Sequence, residues 1–221
     1  MYTPIPMKRS TRYGNNYWEA FSIKMNRDVR FFSDLEYDHW ILVEADSDIV
    51  AFCEQPKRIQ VEWQGDLVES IFDMWIQCMN GTECFLEVKY ASELDPKDKR
   101  FSPRSYKQTN AQAKWCQENG FNHLIRTDKD IRSNLIYLNN LKTIIPYIQQ
   151  RPVLVETVQY QIMKVLSKTS KTTIDEIEQA LPVLGRQRIR ETVYQLIYRG
   201  MIDSTITHKP LDSKTEVWSN A

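Results

Sequence analysis

The chain has 221 residues, of which 42% are hydrophobic and 26% charged, and its 29 basic residues balance 29 acidic ones. That composition is globular and excludes a disordered or fibrous chain, and zero net charge argues against indiscriminate polyanion binding while leaving local patches open. No window approaches the ~20 apolar residues of a membrane span, and the N-terminal stretch MYTPIPMKRSTRYGNNYW has no apolar core of a secretory signal. A soluble, intracellular protein is expected, with no membrane partner. Cys53, Cys78, Cys84 and Cys116 form no CxxC pair, so they read as small apolar residues rather than zinc ligands or a disulfide framework.

Charge is segregated. Lys8, Arg9, Arg12, Lys24, Arg27 and Arg30 crowd residues 1–30, residues 31–54 carry acidic groups and no Lys or Arg, and Lys97, Lys99, Arg100, Arg104 and Lys107 make a second basic stretch. Each is a solvated face unless a site claims it.

In chain order, Ser33 to about Ala45 reads as a helix, with Ser33 as N-cap and Glu36 at capping-box spacing. Asp48–Cys53 is a short apolar strand stopped at Gln55-Pro56, and Arg58–Trp63 alternates as a half-buried strand. Ser70–Met79 and Glu83–Tyr90 flank Asn80-Gly81, a hairpin signal. Ser105–Asn119 is a helix closed by Gly120, Asn122–Arg126 a strand, and Asp130–Gln149 a helix with apolar residues at 131, 135, 138, 141 and 145. The expected fold is mixed α/β around one central sheet with flanking helices. The character changes near Gln149-Gln-Arg-Pro152, so the domains are placed at 1–150 and 151–221. The second reads as three helices (about Val153–Ser167, Thr173–Leu181 and Arg186–Arg199) and a strand pair, Met201–Thr207 with Thr215–Ser219, the winged helix-turn-helix pattern.

The strongest chemical signal is Glu87-Val88-Lys89 in mid-strand. A period of two puts Glu87 and Lys89 on one face, where a carboxylate can ligate Mg²⁺ and a lysine can orient water or hold charge developing on phosphorus. An acidic-x-Lys triplet is expected about once or twice in a chain of this length, and Asp95-Pro-Lys97 and Asp212-Ser-Lys214 are loop decoys. Asp73 on the preceding strand raises the first triplet above them. A two-residue Asn80-Gly81 loop would set Asp73 opposite Val88, on the wrong face. A three-residue loop Met79-Asn80-Gly81, with Gly81 left-handed, pairs Cys78 with Thr82 and sets Asp73 opposite Glu87. The second register is the one expected. Glu36 is either a capping residue or a third carboxylate.

The succession SDLEYDHWILVEADSDIVAFCEQP, then Asp73, FLEVKY and YKQTNAQAKWCQENGFNHLIRTDKDI resembles the TnsA-type endonuclease subunit of heteromeric transposases over about residues 10–145. The resemblance implies a restriction-endonuclease-like fold with a PD-(D/E)xK site, followed by a small winged-helix-like domain that binds DNA or partners. It implies Glu36, Asp73, Glu87 and Lys89 as catalytic residues. Metal ligands would be Glu36, Asp73 and Glu87 with the Val88 carbonyl, holding Mg²⁺, two ions, with Mn²⁺ substituting. Gln55 falls on the family's Gln-Pro motif without an assigned role. Phe72 replaces the usual proline, and Glu87 stands where some members have Gln. The implied function is cleavage of the 5′ ends of a transposon, the non-transferred strands, in the cytoplasm of a bacterium. The implied partners are double-stranded transposon-end DNA, a DDE-type transposase subunit (TnsB-like) and an AAA+ ATPase regulator (TnsC-like). Phosphate contacts are assigned to Lys97, Lys99, Arg100, Arg104 and Lys107, and further DNA contacts to Arg186, Arg188 and Arg190 at the start of a recognition helix. Thr192, Tyr194 and Gln195 could equally face a partner. A stand-alone restriction- or repair-type nuclease and a non-catalytic DNA-binding regulator are the alternatives.

Overall fold

The computed structural model describes residues 1–7, 16–150 and 153–220. Lys8, Arg9 and Arg12 of the first basic stretch, and Arg151-Pro152 at the expected boundary, lie outside the described residues. The chain divides into two compact units, Met1–Ser133 and Asn134–Ala221.

The first unit opens with a hairpin that the sequence did not announce, β1 (Trp18–Ser22) with β2 (Arg27–Phe31). Its turn uses Asn26 at φ 51° rather than a glycine, so the usual turn signal is missing. Helix α1 (Asp34–Ala45) starts where expected, with the Ser33 hydroxyl accepting from the Glu36 N–H. Strands β3 (Ile49–Glu54) and β4 (Arg58–Trp63) also fall on their expected segments.

The segment 70–79 is two strands rather than one. β5 (Asp66–Ile71) pairs back on β4, and β6 (Met74–Cys78) begins only after Phe72-Asp73. The apolar run concealed a change of partner. β7 (Glu83–Lys89) follows, then a short helix α2 (Ala91–Leu94), the long helix α3 (Pro103–Glu118), β8 (Asn122–Thr127) and α4 (Asp128–Ile131). The central sheet has the order β3-β6-β7-β8, with β3, β6 and β7 antiparallel and β8 parallel to β7. It is the mixed sheet expected, with α3 as the crossover between its parallel strands.

On one face of the sheet, Cys53, Trp75 and Phe85 pack against Ile59, Val61 and Phe72 and against Ala111 and Cys116 of α3. On the other, Val88 meets Leu35 of α1 and Ile131 of α4. Phe85 is the hub of the first core, with ring centroids 4.6 Å from Phe72, 5.1 Å from Phe121 and 5.8 Å from Trp115. Cys53, Cys84 and Cys116 are buried free thiols, as small apolar residues should be.

The helix expected over 130–149 is broken. Thr127 and Asp130 form a capping box that starts α4, and Asn134 caps a new helix, α5 (Leu135–Gln149), by accepting from the Tyr137 N–H. Two local caps outrank a continuous apolar period. α5 packs with the second unit, where Tyr147 meets Tyr194 at 5.3 Å, so the division falls at Ser133/Asn134 and not near 150.

The second unit continues with α6 (Glu156–Leu166), a two-residue strand β9 (Thr172–Thr173), α7 (Ile174–Ala180), α8 (Arg186–Tyr198), β10 (Ile202–Ser204) and β11 (Glu216–Ser219). The strands form one antiparallel sheet of order β10-β11-β9. Asn140 of α5 organises the loop between β10 and β11: its amide donates to the Ile206 and Lys209 carbonyls at 2.7 and 2.8 Å, and its oxygen accepts from the Leu211 N–H at 2.9 Å. Among the described residues, no helix is long and apolar enough to cross a membrane.

Phe85 has no exposed surface and four aromatic neighbours. Phe85→Ala is expected to cost about 3–5 kcal/mol, measured as a loss of unfolding free energy in a denaturant titration of the full chain.

Candidate active site

The site is built on the β6–β7 hairpin. The observed pairs are Met74 with Leu86, Trp75 with Phe85, Ile76 with Cys84 and Gln77 with Glu83. Continued outward, this register sets Cys78 opposite Thr82, whose carbonyl accepts from the Cys78 N–H at 2.9 Å. Continued inward, it sets Asp73 opposite Glu87. Gly81 closes the three-residue loop at φ 82°, a conformation that costs glycine little. The expected register is therefore the observed one.

Asp73 is held at both ends. Its carbonyl accepts from the Gln55 N–H at 3.0 Å, and its carboxylate accepts from the Val88 N–H at 2.7 Å. The first contact gives Gln55 a structural role. It ends β3 at a φ of 42° and ties that strand's end to Asp73, although its own buried side-chain nitrogen has no partner.

Glu87 is fully buried, with 0% exposure, and its Oε1 accepts from Lys89 Nζ at 2.6 Å. Two amides of α3 complete its shell. Gln108 Nε2 donates to Oε1 and Gln112 Nε2 to Oε2, both at 2.7 Å. Neither glutamine was singled out from sequence. Their spacing of four on one helix was the available signal, but glutamines at that spacing are ordinary on solvated helix faces.

Glu36 lies at the start of α1, and Asp73 and Lys89 both act on its charge. Its carboxylate accepts from the Phe32 N–H at 3.2 Å and the Ser33 hydroxyl at 3.0 Å. This is a cap displaced by one residue, since the Phe32 amide rather than the Ser33 amide is the donor. Capping and membership of the cluster are thus compatible.

Electrostatics bind these groups together. Burial, and then the charge of Asp73, push Glu87 up to about 8 against the pull of Lys89 and Gln112. Burial and Asp73 push Glu36 up to about 7. Burial likewise raises Asp73, opposed by Lys89, the Val88 N–H and a hydrogen bond with Glu87. Burial alone would lower Lys89, but Asp73 and Glu87 outweigh it and hold the ammonium above its ordinary range. One lysine cannot neutralise three carboxyls, so the cluster retains protons near neutrality.

The donor set suits a hard divalent cation, because it consists of carboxyl oxygens whose retained protons mark where positive charge is needed. Among the described residues, no three His, Cys, Asp or Glu side chains converge as a ready-made metal cage. The hydrogen bonds explain this: Glu36 is turned to Phe32 and Ser33, and both Glu87 oxygens are engaged.

Asp73, Glu87 and Lys89 line a cavity of about 370 Å³, together with Arg58, Arg104 and Lys107. Only two of the five basic residues expected to follow the catalytic strand therefore reach it. Lys97, Lys99 and Arg100 sit on the exposed turn before α3, where Arg100 pairs with Asp98 at 3.3 Å. Arg58 was overlooked because it opens a strand whose alternation spoke only for its inward residues. It pairs with Glu69, and Lys107 with Asp66, in exposed contacts that salt or a phosphate can exchange.

In the second unit Arg186 and Arg188 are exposed at the start of α8; Arg186 lies 3.5 Å from the buried Glu178, which Arg190 engages at 2.6 Å. Thr192, Tyr194 and Gln195 are all buried, which corrects their reading as a partner-facing set. They lie on the inward side of α8.

The raised carboxyls have a consequence for stability. In the unfolded chain these groups titrate near ~4.3, so the folded state is relatively favoured below that pH and loses stability as pH rises through about 7 to 8. In chelator, Glu87→Gln is expected to flatten the fall in melting temperature between about pH 5 and 8. Differential scanning fluorimetry across that range measures the slope.

Residues 46–128 match the family model described as TnsA-like endonuclease N terminal. No curated protein matches the chain. Asp73, Glu87 and Lys89, with both glutamines, fall inside the segment that is similar to this family, and Glu36 precedes it.

Proposed function

We propose that the protein is the Mg²⁺-dependent DNA endonuclease subunit of a heteromeric transposase, cutting the 5′ ends of the element, the non-transferred strands. The observation that carries this reading is the meeting of Asp73, Glu87 and Lys89 at one cavity within the TnsA-like segment.

In this reading Asp73, Glu87 and Glu36, with the Val88 carbonyl, hold two Mg²⁺ ions or Mn²⁺ in their place. Bound there, the ions supply a lowered water pKa and neutralise charge on the leaving 3′ oxygen. The chain's own residues do the rest. Lys89 stays cationic because Asp73 and Glu87 flank it, and it meets the charge that develops on phosphorus. The Val88 N–H fixes one Asp73 oxygen, so that carboxylate is oriented in advance. Arg58, Arg104 and Lys107 line the cavity and take the phosphates beside the scissile bond. Lys97, Lys99 and Arg100 reach the backbone further along.

The second unit serves as a winged-helix module for DNA or partner binding. Helices α6, α7 and α8 with a three-stranded antiparallel sheet suit that role, as do the exposed Arg186 and Arg188 at the start of α8. The partners in this reading are transposon-end duplex DNA, a TnsB-like DDE transposase and a TnsC-like AAA+ regulator.

The test is strand cleavage of a transposon-end duplex in Mg²⁺, by the chain with and without a TnsB-like DDE transposase. Partner-dependent 5′-strand cleavage is expected, lost to background in Asp73→Ala and reduced at least ~10²-fold in Lys89→Ala. Cleavage by the chain alone would replace this reading with an independent nuclease. Binding without cleavage under any condition would replace it with a DNA-binding regulator.

A further inference from the structure

The core face of α3 is apolar at Ala111 and Cys116, yet Gln112 among them is fully buried. A buried amide is costly unless it is bonded, and an aliphatic side chain would fill the position without that cost. Gln112 and Gln108, one helical turn apart, reach the same two partners. Each Nε2 donates to one oxygen of Glu87 at 2.7 Å and to the Ser70 hydroxyl at 3.0 Å. Ser70, on β5, thereby draws the two amides together, and three elements close on one carboxylate.

We propose that Gln108 and Gln112 are positioning residues that grip Glu87 by both oxygens and set the affinity of the site for its cation. This rests on the metal-dependent reading above. With Lys89 also on Oε1, three donors leave about one acceptor position of the carboxylate for whatever Glu87 and Asp73 hold between them. Without the amides, Glu87 would be free to turn about its own χ angles, pair with Lys89 alone and present no fixed oxygen. A contact serving only to pack α3 would not be expected to leave an atom unsatisfied, yet Gln112 Oε1 is buried without a partner. The cost is explained when the Nε2 side of the amide serves the site.

The test uses the full chain without DNA or partners, and Mn²⁺ as the probe in titration calorimetry. Gln108→Leu and Gln112→Leu keep the bulk of the side chain and remove the donor. Each is expected to weaken Mn²⁺ binding about 10–100-fold, with the ion-free melting temperature close to that of the parent. In cleavage assays the Mn²⁺ concentration for half-maximal rate rises in step, and the rate at saturating Mn²⁺ recovers. Asp73→Ala is the control that abolishes binding. Folded glutamine variants with parental Mn²⁺ affinity would overturn the clamp and leave the metal site standing. A parent that binds Mn²⁺ no better than Asp73→Ala would overturn both. Gln108→Leu, on the less buried turn, keeps the test decisive if Gln112→Leu does not fold.

Discussion

Three carboxyl groups and one ammonium share a space largely withdrawn from water, and much of the first unit's construction answers to that fact. Like charges so placed repel strongly because the surroundings screen them poorly. The fold relieves the repulsion with protons, with Lys89 and with fixed N–H donors from Phe32, Val88, Gln108 and Gln112. These donors come from three places in the chain. The ends of β3 and β7 hold Asp73, the cap of α1 holds Glu36, and the crossover helix holds Glu87. The apolar core below, centred on Phe85, belongs to the same strand face as Glu87 and Lys89, so the packing that makes β7 rigid also makes the cluster rigid.

Such an arrangement is strained as a stability device and useful as a site. Uncompensated buried carboxyls do not favour folding, and an apolar cluster in their place would serve stability better. Their retention fits the general pattern in which functional sites depart from what the rest of the chain optimises. The second unit shows the contrasting use of charge. There the buried Glu178 is shared by Arg190 at 2.6 Å and Arg186 at 3.5 Å, while Arg188 between them in sequence is exposed. One buried carboxyl thus meets two cations at the rim of the unit, where solvent reaches both.

Much of the site was legible in the residues because strands repeat every two positions. Glu87 and Lys89 had to share a face, and Asn80-Gly81 narrowed the hairpin to two registers, of which one united Asp73 with Glu87. Local caps were equally legible at Ser33 and Thr173. What escaped was non-local. The exchange of partners at Phe72-Asp73 leaves no turn residue behind, and the break at Ser133-Asn134 sits inside an apolar period that a single helix would also satisfy. Gln108 and Gln112 carry no mark of burial, since their meaning depends on Ser70 and Glu87 arriving from two other strands. The first hairpin turns on Asn26 without the glycine that would have flagged it.

The three-residue loop at Met79-Asn80-Gly81 has an evolutionary corollary. With the two strands paired as they are, a residue lost from Met79-Asn80-Gly81 leaves a two-residue loop and a residue gained leaves a four-residue one, both common in hairpins, and Asp73 stays opposite Glu87. A residue gained or lost between Asp73 and Cys78, or between Thr82 and Glu87, moves one carboxyl to the opposite face unless a bulge absorbs it. Length variation among relatives that keep the two carboxyls together should therefore collect at the bend and spare the strands.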